Sequence, residues 1–277
     1  MRCQHPTGPR GAGTVRLMPK NPFATEDAAE FYAAGRPDYS RFVTEITRQL
    51  TSISGKVPVA VDVGSGTGIS TMALPPLAES VIGVEPSSAM VDRAVQAPNV
   101  EYRIGTAEDL PVQTDSCDLV GVGSALHWFD QSLFLAEASR IARPDAWLVV
   151  HDNFFTAEMA GNDGFRDWFR EVYLKRYPPP PRDRSWRPPD HLGVWKHVAW
   201  ERYRHEVPFD ARHLAAYLLT QSNLQAVIQT GSQTPEELEA WLLAETASFF
   251  SDSTGSFVFE GFVACHRRSP DFGDRRA

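Results

Sequence analysis

The segment Val59–Gly68 is the feature of this sequence that most constrains its fold. It reads Val-Ala-Val-Asp-Val-Gly-Ser-Gly-Thr-Gly, with valines at alternate positions. A β-branched run of this kind is typical of an inner parallel strand that is covered on both faces. The glycines that follow permit a tight turn and leave backbone N–H groups open to a ligand. A helix starting near Ile69 would direct its N-terminus, which favours negative groups, at that ligand.

A second apolar run, Val81–Val84, ends in Glu85. In dinucleotide-binding folds an acidic residue about 20 positions after the glycines binds ribose hydroxyls at the tip of the second strand. Glu85 fits that place. The nicotinamide fingerprint requires G-x-G-x-x-G, whereas here the sixth position is Ile69 and the third glycine falls one position earlier, at Gly68. A nicotinamide-dependent oxidoreductase is therefore the weaker interpretation, and it would require that the protein binds NADH.

Several motifs in a fixed order resemble those of class I S-adenosylmethionine-dependent methyltransferases. The segment Asp62-x-Gly64-x-Gly66-x-Gly68, with Glu85-Pro86-Ser87 after it, is similar to the first motif of that family and its successor. Further similar stretches are Tyr32-x-x-x-Arg36-Pro37-x-Tyr39, Gly105–Pro111, Asp118–Val120 and Ala125–Phe129. The similarity extends over Phe31–Val150 and is closest to the small-molecule branch that includes trans-aconitate methyltransferase-like proteins.

The resemblance implies an α/β fold, with a Rossmann-like, doubly wound sheet of seven strands, the last one antiparallel, and a helical cap insertion. It also implies that S-adenosyl-L-methionine is the cofactor. The residues that correspond to cofactor contacts in the family are Tyr32, Arg36, Asp62, Gly64, Ser65, Gly66, Gly68, Glu85, Pro86, Met90, Ala107, Glu108, Ser124 and Leu126. Thr106 stands where the family often has an acidic residue, so a carboxylate contact to the adenine is not expected there.

Polar and aromatic side chains follow the predicted fourth and fifth strands. Ligands of open α/β sheets bind outside the carboxyl ends of the strands, so these side chains are expected to meet the methyl acceptor. We predict a substrate pocket that contains His127, Trp128, Asn153 and Phe154. If the acceptor is a hydroxyl, His127 or His151 would remove its proton near neutral pH. If it is a carboxylate, no base is needed and the Arg36 guanidinium would orient it.

Local signals set the expected lengths of several helices. Pro75 and Pro76 remove hydrogen-bond donors soon after the glycine loop, so the helix there should be short or kinked. Ser87 is an N-cap candidate for a helix whose apolar side would continue to Val95. Asp130 is expected to cap the next helix, and Thr234-Pro235-Glu236-Glu237 is a capping box with proline at the first helical position.

The order of these segments predicts one methyltransferase domain over residues 25–268, with a cap insertion at about 155–200. Within that insertion, Tyr177–Pro181 and the arginine- and proline-rich stretch to Pro189 break regular structure. We expect a mobile loop over the pocket there, with a solvated loop as the alternative. Residues 1–24 are predicted to be a flexible extension and residues 269–277 a loose tail.

Composition narrows the classes of partner. The net charge is −8 with a pI near 5.5, whereas a nucleic-acid substrate normally requires a basic surface. A small-molecule substrate is therefore favoured, with no nucleic acid and no membrane as partner and with a monomer or a homodimer as the assembly. Cys3, Cys117 and Cys265 form neither a disulfide framework nor a metal spacing, which suits the cytoplasm and predicts no metal. A non-catalytic S-adenosylmethionine-binding protein stays open as an alternative, because binding motifs do not demonstrate turnover.

Overall fold

The computed structural model describes residues 25–179, 191–250 and 254–269. The predicted N-terminal extension, most of the proline-rich stretch, and residues 270–277 of the predicted tail lie outside these ranges. Cys3 lies outside them as well, and Cys117 and Cys265 are both buried as free thiols.

A single mixed sheet organises the described part of the chain. Its strand order is β3-β2-β1-β4-β5-β8-β7-β6. The strands β1 to β5 are parallel to one another, and β8 is antiparallel to both β5 and β7. The bounds are β1 Val57–Val63, β2 Ala78–Glu85, β3 Val100–Ile104, β4 Cys117–Gly123, β5 Ala142–Met159, β6 His191–Leu192, β7 Trp195–Phe209 and β8 Gly255–Arg268. The predicted seven-stranded sheet with an antiparallel last strand is confirmed, and the two-residue β6 extends it at the edge.

Nine α-helices flank this sheet within the described ranges. They are α1 Glu26–Gly35, α2 Ser40–Thr51, α3 Ser88–Val91, α4 Gln131–Ile141, α5 Asp163–Trp168, α6 Leu174–Arg176, α7 Ala211–Leu219, α8 Ser222–Gln229 and α9 Pro235–Thr246. No helix in this part of the chain is long and apolar enough to cross a bilayer. The helix starts at α4 and α9 follow their predicted caps, because Asp130 accepts the N–H groups of Ser132 and Leu133 and Thr234 forms the complete capping box.

The two faces of the parallel strands carry separate hydrophobic clusters. The α4 cluster places Phe134 and Ile141 of α4 against Val120 and Leu148 of the sheet. The α2 cluster on the opposite face includes Val43 and Ile46 of α2 with Leu119 and Val149. Alternate strand residues therefore point into different clusters, which is why the inner strands read as continuous apolar runs.

A third, aromatic cluster lies where the ends of β5, β7 and β8 meet the helices α5, α7 and α9. It buries Phe165, Trp168, Tyr217, Phe257 and Phe259 among others. The helical turns between β5 and β7 include a π-helical turn, Phe169–Tyr173, between α5 and α6. α5, the π-helical turn and α6 lie within the predicted cap insertion. The role of this insertion as a cap over a pocket stays a prediction.

One helix is short, as predicted, and a second requires correction in length. After the glycine loop the structure has only a 3₁₀ turn, Thr71–Ala73, because the proline pair follows at once. Ser87 caps α3 by accepting the Met90 N–H, but α3 ends at Val91. The Val95 N–H donates to the Thr67 carbonyl in the glycine loop at 3.0 Å, so the chain leaves the helix and Val95 is 46% exposed.

Candidate active site

The loop between β1 and the 3₁₀ turn depends on glycine. Gly64, Gly66 and Gly68 all have positive φ, at 74°, 54° and 81°, a region in which other residues are strained. A Cβ on Gly64 would lie 2.8 Å from the Ala125 Cβ, whereas a Cβ on Gly66 would meet nothing within 4 Å. The middle of the loop therefore exposes bare backbone on its open side, where a ligand can approach closely.

Glu85 stands beside this loop at the end of β2, as predicted. Its two carboxylate oxygens accept the N–H of Gly66 at 3.1 Å and the N–H of Ser87 at 3.0 Å. Burial raises the pKa of Glu85, although both backbone hydrogen bonds act against that shift. The carboxylate is thus fixed by the loop it supports, and its remaining lone pairs are acceptors for hydroxyl groups.

Asp62 lies in β1, just before the glycine loop, and its hydrogen bonds are structural. Its Oδ2 accepts the hydroxyls of Ser70 at 2.7 Å and Thr71 at 2.6 Å, and the residue is fully buried. Desolvation raises the pKa of Asp62 to about 6. Asp62 therefore ties the end of the loop to β1, and it does not form part of the cavity wall described next.

A cavity lies between the glycine loop, α1 and the tips of β4 and β5. It brings together seven of the predicted residues, namely Tyr32, Arg36, Gly64, Ser65, Gly66, Ser124 and Asn153. Four other lining residues were not predicted as site residues, namely Tyr39, Ile69, Ser70 and Gly123. Tyr39 belongs to the motif that begins at Tyr32, and Ile69 and Ser70 directly follow the glycines, so their positions in the sequence could have indicated all three.

Arg36 is half-buried and forms a cationic wall of this cavity. Its guanidinium lies over the Tyr32 ring at 4.8 Å and over the Tyr217 ring at 5.2 Å. One terminal nitrogen donates to the Thr220 carbonyl at 3.2 Å, while the buried Nε has no hydrogen-bond partner in the described protein. A buried N–H without a partner is costly unless a ligand accepts it, so this wall suits an anionic group.

The opposite wall is built from the tips of β4 and β5. Ser124 adopts a left-handed conformation with φ of 53°, and its hydroxyl donates to Asp152 Oδ1 at 2.5 Å. Its backbone N–H donates to the His151 carbonyl at 2.9 Å, which joins the two strand ends. Asn153 lies next to this junction with 7% of its surface accessible. Its Oδ1 lies 2.9 Å from His205 Nε2 of β7.

His151 lies behind this wall and does not line the cavity. Only 2% of the residue is accessible, its ring packs edge-on against Tyr39 at 5.8 Å, and neither ring nitrogen has a hydrogen-bond partner in the described protein. Burial lowers the pKa of His151 to about 4. The imidazole is therefore neutral at physiological pH, and its predicted catalytic role stays a prediction.

The remaining predicted residues do not line this cavity. His127 is exposed with its ring 4.9 Å from Trp128, and Phe154 is 44% exposed. Glu108 accepts the Asp130 N–H at 2.9 Å, which gives it a role at the start of α4. The others are Pro86, which is exposed, Gly68, which packs against Tyr102, and the buried apolar residues Met90, Ala107 and Leu126.

These groups fit a cofactor that carries hydroxyl, anionic and apolar parts. Glu85 offers acceptors for ribose hydroxyls, the loop offers bare backbone, and Arg36 offers an unpaired N–H. The Ser65 hydroxyl lines the cavity and is also buried without a partner in the described protein. Within the described ranges, no cluster of histidine, cysteine or acidic residues could hold a metal ion.

Comparison with known proteins agrees with this geometry. A family model described as a methyltransferase domain matches residues 61–150, the stretch that contains the glycine loop and Glu85. An uncharacterized methyltransferase of Mycobacterium bovis is 32% identical over 176 residues, which are 62% of this chain and 68% of the relative. A candidate methyltransferase of Dictyostelium discoideum is 32% identical over 133 residues, which are 48% of this chain, and the match spans about half (49%) of that relative's length.

A solved structure of a candidate type II methyltransferase from Anaeromyxobacter dehalogenans has the same fold. The two superpose with a TM-score of 0.64 at 24% identity, over 85% of this chain and 99% of that one. The match to the mycobacterial relative combines 32% identity with coverage of 68% of that relative's length. The chain belongs to the class I S-adenosylmethionine-dependent methyltransferases.

Proposed function

We propose that this enzyme transfers the methyl group of S-adenosylmethionine to an oxygen of a small-molecule acceptor, a carboxylate or a hydroxyl, as in the trans-aconitate methyltransferase-like branch. The observation that carries this proposal is the cavity itself. One wall is the glycine loop, and the facing walls hold the Arg36 guanidinium and the polar side chains of Ser124 and Asn153. A pocket with a cation and neutral hydrogen-bonding groups suits an acceptor that is anionic or carries a hydroxyl.

The residues that would hold the cofactor divide by chemistry. Glu85 would accept hydrogen bonds from the ribose hydroxyls, because its oxygens lie at the loop and both already accept backbone N–H groups. The glycine loop, with Ser65, would contact the methionine portion, and Arg36 would pair with its carboxylate or with that of the acceptor. When bound, S-adenosylmethionine supplies a methyl group that is already activated on a sulfonium, for in-line displacement.

The protein's main task in such a transfer is alignment. Reacting atoms held about 3 Å apart and in line need few catalytic side chains. A carboxylate acceptor needs no base, so orientation by Arg36 or Asn153 would be sufficient. A hydroxyl acceptor would lose its proton to His127, which is exposed, or to His151, which is neutral but buried. Trp128 and Phe154 do not line the cavity, and they would contact only a part of the acceptor that extends beyond it.

Charge and composition support our proposals for the acceptor class, the location and the oligomeric state of the enzyme. The net charge of −8 favours a small molecule over a nucleic acid as the acceptor. We propose a cytoplasmic enzyme that acts as a monomer or a homodimer. Membership of the methyltransferase family sets aside the nicotinamide-dependent alternative.

Calorimetric titration with S-adenosylmethionine, S-adenosylhomocysteine and NADH tests the cofactor assignment. We expect micromolar binding of the first two and none of NADH. Glu85→Gln should weaken binding by about 10- to 100-fold, since it replaces a charged acceptor of hydroxyl hydrogen bonds by a neutral amide. Glu101→Gln is the matched control, because Glu101 is an exposed carboxylate on the neighbouring strand that pairs only with Arg103 among the described residues. Equal affinities of the two variants would contradict the role of Glu85.

Acceptor screening follows from a positive result. Release of S-adenosylhomocysteine would be measured with panels of carboxylic acids, phenols and amines. Turnover of amines alone would refute the oxygen-acceptor proposal. With a true acceptor in hand, unchanged turnover in His127→Ala would remove His127 from the mechanism.

A further inference from the structure

Gly261 of β8 lets side chains of β7 reach across β8 to the strand β5, which lines the cavity. β8 lies between β5 and β7, and its Gly261 is paired with Asn153 on one side and with Tyr203 on the other. A Cβ on Gly261 would collide with the Tyr203 ring and with the Asp152 carbonyl. Because glycine leaves this space empty, the Tyr203 ring crosses β8 and its hydroxyl donates to the Asp152 carbonyl at 3.1 Å.

His205 uses the same face of β7 to reach the cavity residue. It stands two positions after Tyr203, so both side chains project from one face of the strand. Its Nε2 lies 2.9 Å from the Asn153 Oδ1. Phe42 of α2 stacks on Tyr203 with ring centroids 5.3 Å apart and contacts the His205 ring at 4.8 Å. Tyr203 and His205 are therefore packed against Phe42 of α2, while their polar atoms contact Asp152 and Asn153 of β5.

The contact with His205 determines what Asn153 offers to the cavity. An asparagine amide has an acceptor oxygen and two N–H donors. With the oxygen occupied by His205, the amide N–H groups remain for the cavity that Asn153 lines. A neutral donor of this kind binds an oxygen lone pair without adding a charge next to the reacting centre.

We propose that His205 and Tyr203 are positioning residues that act through Asn153. In this arrangement His205 donates its Nε2–H to Asn153 Oδ1, and the Asn153 amide donates to an oxygen of the methyl acceptor. The inference rests on the proposed function and deepens it, since it names the group that orients the acceptor oxygen and the edge-strand residues that fix that group. Gly261 is the position that makes the arrangement possible.

The test observes the Asn153 side chain directly. Protein labelled with ¹⁵N-asparagine and saturated with S-adenosylhomocysteine is titrated with benzoate, succinate and phenol, and the Asn153 amide resonances are identified by their absence in Asn153→Asp. We expect at least one of these probes to shift the Asn153 amide pair. His205→Gln, which retains an N–H donor, should bind that probe nearly as the wild type does. His205→Leu should weaken it by about 3- to 10-fold, the range for loss of one neutral hydrogen bond.

His197→Leu is the matched control, because it makes the same change on the same strand at a residue paired with His266, away from Asn153. A His205→Leu variant that binds the probe as tightly as the wild type would overturn the positioning role. If S-adenosylhomocysteine binds but no probe shifts the Asn153 amide, the contact with the acceptor is refuted while the cofactor assignment stands. Failure of the wild type to bind S-adenosylhomocysteine would overturn the proposed function and this inference together.

Discussion

Replacing Asp62 by asparagine should change how the free energy of unfolding depends on pH. Asp62 is fully buried, and burial raises its pKa from the ordinary 3.8 to about 6. The folded state therefore holds the proton more tightly than the unfolded state, and ionisation opposes folding. An asparagine would keep an oxygen to accept the Ser70 and Thr71 hydroxyls, which donate to Oδ2 in the wild type, and it cannot ionise.

The size and the sign of the effect follow from the two pKa values. The penalty is absent below about pH 3.8, grows as pH rises, and is complete above about pH 6. Its full size is about 3 kcal/mol, since a difference of one pKa unit corresponds to about 1.4 kcal/mol. Between about pH 4.5 and about pH 7.5, the stability of Asp62→Asn relative to wild type should rise by about 2 kcal/mol.

Urea denaturation followed by tryptophan fluorescence at a series of pH values measures this difference. The wild-type curve alone is not sufficient, because burial lowers the pKa of His151 to about 4 and gives a contribution of opposite sign in the same pH range. That contribution is common to both proteins and cancels in the comparison. A difference between the two proteins that is constant with pH would refute the reasoning, because Asp62 would then ionise equally easily in both states.

Two further predictions concern the loop and the buried histidine. Gly66→Ala and Gly68→Ala should each cost about 1–2 kcal/mol of left-handed strain, and Gly68→Ala should cost about 1–3 kcal/mol more because its Cβ would meet the Tyr102 hydroxyl. Equal losses of stability in urea denaturation would contradict this packing. In NMR titrations the His151 imidazole should stay neutral down to about pH 4, since desolvation lowers its pKa. A midpoint near its ordinary value would mean that water reaches the ring.

Local sequence patterns were sufficient to predict the parts of the site that depend on adjacent residues. The strand–glycine segment, Glu85 at the tip of β2 and the cap at Asp130 each lie where their neighbours in sequence indicate. The proline pair correctly predicted that the helix after the loop would be short. The early end of α3 could not be predicted from neighbouring residues, since the chain beyond it bonds to the distant glycine loop, where the Val95 N–H donates to the Thr67 carbonyl.

The strand tips could be located from the sequence, but the directions of their side chains could not. Asn153 and Phe154 were both predicted to face the substrate, yet successive residues of a strand point to opposite faces, and only Asn153 lines the cavity. His151 shares the face of Asn153 but lies deeper, where Tyr39 covers it. His205 lies 52 residues from Asn153 in the chain, and only the sheet order brings them together.

The length of β5 has a consequence for local unfolding of the protein. Its first half contributes Leu148 and Val150 to the α4 cluster, and its second half contributes Ala157 and Met159 to the aromatic cluster. One strand of 18 residues, paired with β8 on both sides of a register shift between Phe155 and Glu158, therefore belongs to both clusters. Separating the aromatic cluster from the sheet would break the backbone ladder that the α4 cluster also needs. We therefore expect the two clusters to behave as a single cooperative unit in hydrogen exchange.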